Sequence, residues 1–248
     1  MYIFFKKVCE LQTNLITEWM RVGFIHGVMN TDNMSLSGET IDYGPCAYLD
    51  NYNPKSVFSS IDKMGRYSFE NQPKISLWNL ARFAETFLYL IDENESKAIK
   101  IVEEILNKYN EIFNETWHKM MCKKLNLELD IKNKYLIKEF LDLMHIHKLD
   151  YTNTFLDLEN NVLNKKIFKN WIENYKNAKK NKLERINPKI IPRNHIIEKI
   201  IVEAYNGDFQ NLYKFEKVLT NPYDDMGDSE FKKPPSDNEK VYETYCGT

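Results

Sequence analysis

GFIHGVMNTDNMSLSGETIDYGP, residues 23–45, decides how this chain is read. Four of the chain's eight glycines fall here, among short apolar pieces and a cluster of Asn and Asp. Asn33 and Asp42 stand nine positions apart, across a turn containing Gly38. Two short strands joined by that turn would carry both side chains to one end of a hairpin. An amide oxygen and a carboxylate aimed at one point form a hard-oxygen pair suited to Mg²⁺. That ion takes one or two protein carboxylates and completes its octahedron with nucleotide phosphates and waters. Asp32, beside Asn33 in a loop, is left to accept a proton or orient a hydroxyl. Asn-Thr-Asp-Asn reads equally as a polar turn, because both residue types favour turns.

Working outward, the rest of the chain sets the class. With 248 residues, 43% of them apolar, it can bury a sizeable core in one domain or one large lobe with appendages. Basic and acidic residues nearly balance, 34 against 36, so bulk charge gives no nucleic-acid footprint. Cys9, Cys46, Cys122 and Cys246 are far apart, without metal-ligand spacing, and read as free thiols. No apolar run reaches the ~20 residues that span a bilayer. The expectation is a soluble intracellular protein: no nucleic-acid or membrane partner, cytoplasmic in a bacterial source and mitochondrial in a eukaryote.

Apolar residues at three- and four-residue spacing predict a helix over 6–22, with Val8, Leu11, Leu15, Trp19 and Val22 on its buried face and Gly23 as its stop. Residues 24–45 read as loop, short strand, turn, short strand, loop. Ser76 offers an N-cap to a helix reaching about residue 91. Further helices are expected over about 96–124, 130–147, 151–158, 165–180, 193–205 and 208–219. Residues 221–248 read as an extended tail docked through Tyr242 and Tyr245, after a body over 1–220. His145 and His147, two apart on a helix, face different ways and make a poor metal pair. The class is mainly α, with a small β element around the opening motif.

The opening stretch also resembles the catalytic loop of protein kinases and the Asp-Phe-Gly segment after it. In that pattern a His opens the loop, an Asn seven residues on binds metal, and an Asp before an aromatic and Gly binds metal. Here His26 plus seven is Asn33, and Asp42-Tyr43-Gly44 takes the second place. The kinase Asp two residues after the His is replaced by Val28, and the nearest acid is Asp32. Longer blocks carry a closer resemblance. HGVMNTDNMSLSGETIDYGP, GRYSFENQPKISLWNLARFAE at 65–85, LDYTNTF at 149–155, residues 187–224 and the ending YETYCGT are similar, in order, to the selenoprotein O family, called YdiU in bacteria.

The resemblance implies a protein-kinase-like C-lobe with extra C-terminal helices and the extended tail. It implies transfer of AMP from ATP to Ser, Thr or Tyr hydroxyls of protein substrates, with Mg²⁺ or Mn²⁺, and UMP transfer with Mn²⁺ as an alternative. By resemblance Asp32 accepts the proton, Asn33 and Asp42 bind metal, and Asp42 also contacts the nucleotide. The glycine-rich loop and strand lysine of a kinase N-lobe find no match before residue 23. The expectation is therefore the C-terminal half of a family member, weakly active or inactive alone, completed by a separately encoded N-terminal lobe. A non-catalytic helical remnant that binds a partner is the alternative. In some relatives the residue near the C-terminus is selenocysteine, which gives Cys246 a possible redox role beside its reading as an exposed tail thiol.

Overall fold

Residues 2–22 contain no glycine or proline to interrupt a helix, and they form one. In the computed structural model, which describes residues 1–181, 184–225, 227 and 229–245, α1 (Tyr2–Val22) ends at Gly23, whose backbone is left-handed (φ 78°) and whose N–H returns to Trp19 O. A Cβ at Gly23 would also lie 2.8 Å from the Tyr151 ring, so glycine is required by both conformation and space. The buried face of α1 is Phe5, Val8, Cys9, Gln12, Thr13, Ile16, Thr17 and Trp19. It is rotated from the expected stripe, and Leu11, Leu15 and Val22 are only half-buried. The rotation follows from packing, since α2 (Gln72–Glu85) and α4 (Glu95–Lys124) cover α1 on adjoining sides.

The strands are not the expected hairpin. β1 (Phe24–Ile25) pairs antiparallel with β2 (Ala47–Tyr48), in register Phe24 with Tyr48 and Ile25 with Ala47. Residues 26–46 are the long loop between them, and inside it Met34 and Thr40 make a single antiparallel bridge. Side chains alternate across a strand, and here the alternation joins two cores. Phe24 packs with Phe5, Ile16, Trp19, Leu80 and Tyr109 between α1, α2 and α4. Ile25 packs with Leu136, Phe140, Phe155 and Trp171 of the second core. That core is built from the end of α4 with α5 (Lys134–Ile146), α6 (Tyr151–Glu159) and α7 (Lys169–Tyr175). Each fully buried side chain of this size stabilises the fold by roughly 1.5–3 kcal/mol.

Ser76 is not an N-cap. α2 starts at Gln72 with Pro73 in its first turn, where a missing N–H costs nothing, and Ser76 lies buried inside the helix. The expected run to residue 91 breaks in two, with α3 limited to Leu88–Ile91. The Thr86 hydroxyl donates to Phe83 O, and Phe87 turns its ring inward against Phe5 and Phe83. The helix expected over 165–180 shortens to Lys169–Tyr175. α8 (Asn194–Tyr205) and α9 (Gln210–Leu219) form a small third core with Phe231 of α10 (Ser229–Lys232).

The tail docks, but not through the tyrosines expected. Tyr242 and Tyr245 are exposed. Phe231 is buried instead, and Thr244 bridges to Ser59 and donates its hydroxyl to Pro45 O at 2.6 Å. Cys246 lies outside the described residues. Cys9, Cys46 and Cys122 are free thiols.

Candidate functional site

The loop 26–46 is held by buried side chains beneath it. His26 is fully buried, and its Nε2–H donates to Ile41 O at 2.9 Å. A carbonyl can only accept, so the ring carries its proton on Nε2; Nδ1 has no partner among the described residues. Burial pushes the imidazole pKa down, against the opposing pull of Asp42. His26 is thus a neutral strut between the start of the loop and the residue before Asp42. Its ring lies 5.3 Å from that of Trp19, and Trp19 Nε1–H donates to Thr40 Oγ1 at 2.8 Å.

Asn33 closes a single 3₁₀ turn, Thr31–Asn33. Its Nδ2 donates to Val28 O at 3.0 Å, which commits the nitrogen end and leaves Oδ1 as the end able to meet a cation. Asp32, in the same turn, is exposed. Asp42 is exposed too and adopts a left-handed backbone, φ 52°. An aspartate in that region is uncommon, and such strain concentrates at functional positions. Asn33 is tied to Val28, and Asp42 follows a residue tied to His26. The structure therefore tethers both expected metal ligands to one three-residue run, 26–28.

Two glycines allow the close approach. Gly27 has φ +86°, and a Cβ there would sit 2.6 Å from Pro45 O, where the loop's ends press together. Gly38, φ +74°, lies against Leu11 of α1, 2.8 Å from an added Cβ.

Several supports have only a weak signal in the sequence. Gln72 accepts from His26 N–H at 3.1 Å and donates to Phe24 O at 3.1 Å. Asn79 donates to Met29 O at 3.0 Å, Gln12 to Ser35 O at 2.5 Å, and Tyr67 O–H to Asn30 Oδ1 at 2.8 Å. The available signal is an amide standing where helical periodicity calls for an apolar residue: Gln72, Ile75, Ser76, Asn79 and Leu80 share the buried side of α2. Arg193 and Asn194 also brace. Asn194 pairs both ways with the Tyr48 backbone, at 3.0 and 2.9 Å, extending the edge of β2.

The donor set suits a hard cation shared with a substrate. Among the described residues no group of three or more His, Cys, Asp or Glu could hold a metal. Asn33 and Asp42 supply one amide oxygen and one carboxylate, which fits Mg²⁺ only when phosphate oxygens and water complete the shell. Among the described residues no helix is long and apolar enough to cross a membrane.

Comparison with known proteins gives the chain's family. A family model described as Protein adenylyltransferase SelO matches residues 1–220. The chain is similar to the Protein nucleotidyltransferase YdiU of Pelagibacter ubique (strain HTCC1062), at 48% identity over 96% of this chain and 53% of that protein. It is similar to the proteins of the same name from Nitrosococcus oceani, at 44% identity over 98% of this chain and 53% of that one, and from Clostridium botulinum (strain Hall), at 42% over 100% and 54%. The chain spans about half the length of these curated relatives. It belongs to the family described as Protein adenylyltransferase SelO.

Proposed function

We propose that this chain carries the catalytic-loop half of a protein nucleotidyltransferase with a kinase-like C-lobe, moving AMP from ATP to protein hydroxyls. The observation that carries the reading is the tethering of Asn33 and Asp42 to the 26–28 run through Val28 O and the buried His26. Asp32, exposed on the 3₁₀ turn beside Asn33, accepts the proton of the acceptor Ser, Thr or Tyr. The freed oxygen bonds to the α-phosphorus of ATP as the bond to pyrophosphate breaks. A positioned base of this kind contributes roughly 10²–10⁴ in rate. Asn33 and Asp42 would hold Mg²⁺ or Mn²⁺, which when bound neutralises the charge that builds on the phosphates. His26 keeps the loop in place, uncharged.

A second reading, a partner-binding half, draws on the loop's apolar rim. Leu36, Ile41 and Tyr43 are 45%, 39% and 63% exposed around the site. Such a patch suits a covering lobe, attached or separately encoded. The two readings are compatible when the covering lobe is the one that grips the phosphates.

The test is a chimera in which this chain replaces the matching half of the Pelagibacter ubique relative. It is incubated with protein acceptors and ATP labelled at the α- or the γ-phosphate. Transfer of the α-label, lost at least 100-fold in Asp42→Ala and Asp32→Ala (of order 10²–10⁴ for a base), is expected. Transfer of the γ-label only would make it a kinase, and a folded chimera with neither would remove the catalytic reading. Preference for α-labelled UTP with Mn²⁺ would select UMP transfer.

A further inference from the structure

We propose that the cleft between the C-terminal half of α1, the end of α4 and residues 185–186 binds a compact phosphate-bearing anion of the size of pyrophosphate. The cleft has a volume of about 500 Å³, within the roughly 300–1,000 Å³ of small-molecule sites. Four cations line it: Arg21 of α1, Lys119 and Lys123 of α4, and Arg185. The one acid among its lining residues is Glu18, whose carboxylate accepts from Arg21 Nε–H at 2.6 Å. The chain as a whole has 34 basic and 36 acidic residues, so this local excess belongs to the cleft and not to the composition. Lys119, Lys123 and Arg185 are exposed, and none of their side chains has a hydrogen bond or ion pair among the described residues.

The floor of the cleft is fixed. Arg21, its side chain 14% exposed, also donates to Ile186 O at 2.6 Å and to Tyr223 Oη at 2.9 Å. That first bond holds the segment carrying Arg185 against α1. Lys119 and Lys123 stand one turn apart on one face of α4, and α4 packs along α1. Cations from three segments thus surround one hollow, with the Asn14 amide at its edge. Like charges gathered there repel one another, and an anion among them turns repulsion into attraction. Their N–H groups make charge-assisted hydrogen bonds to phosphate oxygens. A carboxylate offers two oxygens in one plane. A diphosphate offers oxygens on several sides, which suits donors arriving from three segments.

The test uses this chain, ¹⁵N-labelled, titrated with inorganic pyrophosphate at constant ionic strength and without divalent metal. Saturable shifts are expected in the amide signals of residues 17–21, 116–123 and 185–186. The double variant Lys119→Gln, Lys123→Gln is expected to bind at least about tenfold more weakly, with its melting temperature retained because both side chains are exposed. Lys165→Gln, Lys166→Gln removes the same charge from exposed residues outside the cleft and is expected to leave the affinity unchanged. Equal weakening in the two double variants, or no saturable shift in the unsubstituted chain, would overturn the proposal. A parallel titration with AMP tells the source: shifts at the same signals mean that the site takes phosphate on a nucleoside, and their absence that it takes the free anion. None of this rests on the functional reading above. A chain that binds pyrophosphate here, with a chimera that transfers no label, would sink that reading and leave this one standing.

Discussion

At the residue scale, His26 shows what burial does to a titratable strut. Its pKa is lowered, by desolvation first, with Ile41 O and Asp42 opposing. The unfolded chain, with an ordinary histidine near 6.5, therefore binds the proton before the folded one does. Stability is fully present above about pH 6.5 and is lost as pH falls from there toward the depressed folded value. His26→Gln keeps a donor for Ile41 O and removes the titration. Urea unfolding of the two proteins at about pH 7.5 and about pH 5.5 should show a smaller acid loss in the variant. Identical losses would mean the ring is not the buried neutral group described. His195, whose pKa burial also lowers, is common to both proteins and cancels in the comparison. The sequence made His26, Asn33 and Asp42 visible through spacing, because one loop supplies all three. It could not show which carbonyl each would meet, since those bonds depend on how the loop folds back.

At the scale of elements, the loop is shaped by two glycines that meet different neighbours. Gly27→Ala drives a Cβ into a backbone oxygen, Pro45 O, and Gly38→Ala into Leu11 of α1. Each is also strained by its positive φ, at about 1–3 kcal/mol. Neither obstacle can swing aside: Pro45 O is backbone, and Leu11 Cβ is fixed by the backbone of α1, whose Leu11 C and O lie 3.3 Å from the added Cβ. At roughly 2–4 °C per kcal/mol for a chain of this size, calorimetry should place both variants several degrees below the unsubstituted chain. An unchanged melting temperature for Gly27→Ala would show that the ends of the loop do not press together. Helices with strong periodicity, such as α1 and α4, were legible to within a few residues. The hairpin was not. The chain pairs 24–25 with 47–48, and pairing across a long loop leaves no local turn signature to read. Ser76 misled because a good capping residue also serves as a small buried one where helices approach closely.

For the whole molecule, Arg193 ties together segments far apart in the chain. Its guanidinium, 1% exposed, donates to Asp150 at 2.8 and 3.1 Å and to Asp50 at 2.9 Å. This joins the entry to α8 with the segments after β2 and before α6. Burial pushes the Asp50 carboxyl up, with Arg193 working against it. Arg193→Met leaves two largely buried carboxylates without their cation. The expected loss is about 3–5 kcal/mol, against about 1–3 kcal/mol for Asn194→Ala; denaturant unfolding would rank them. A loss near zero for Arg193→Met would mean the C-terminal helices are not part of the same cooperative unit. None of this was readable in the sequence, because Asp50 lies 143 residues from its partner.

The most direct measurement is paramagnetic relaxation by Mn²⁺ with ATP, read residue by residue on this chain. Broadening centred on residues 26–28, 33 and 41–43 is expected, and it should disappear in the Asn33→Ala, Asp42→Ala double variant. Broadening centred elsewhere, or unchanged in that variant, would contradict a shared cation site on the loop.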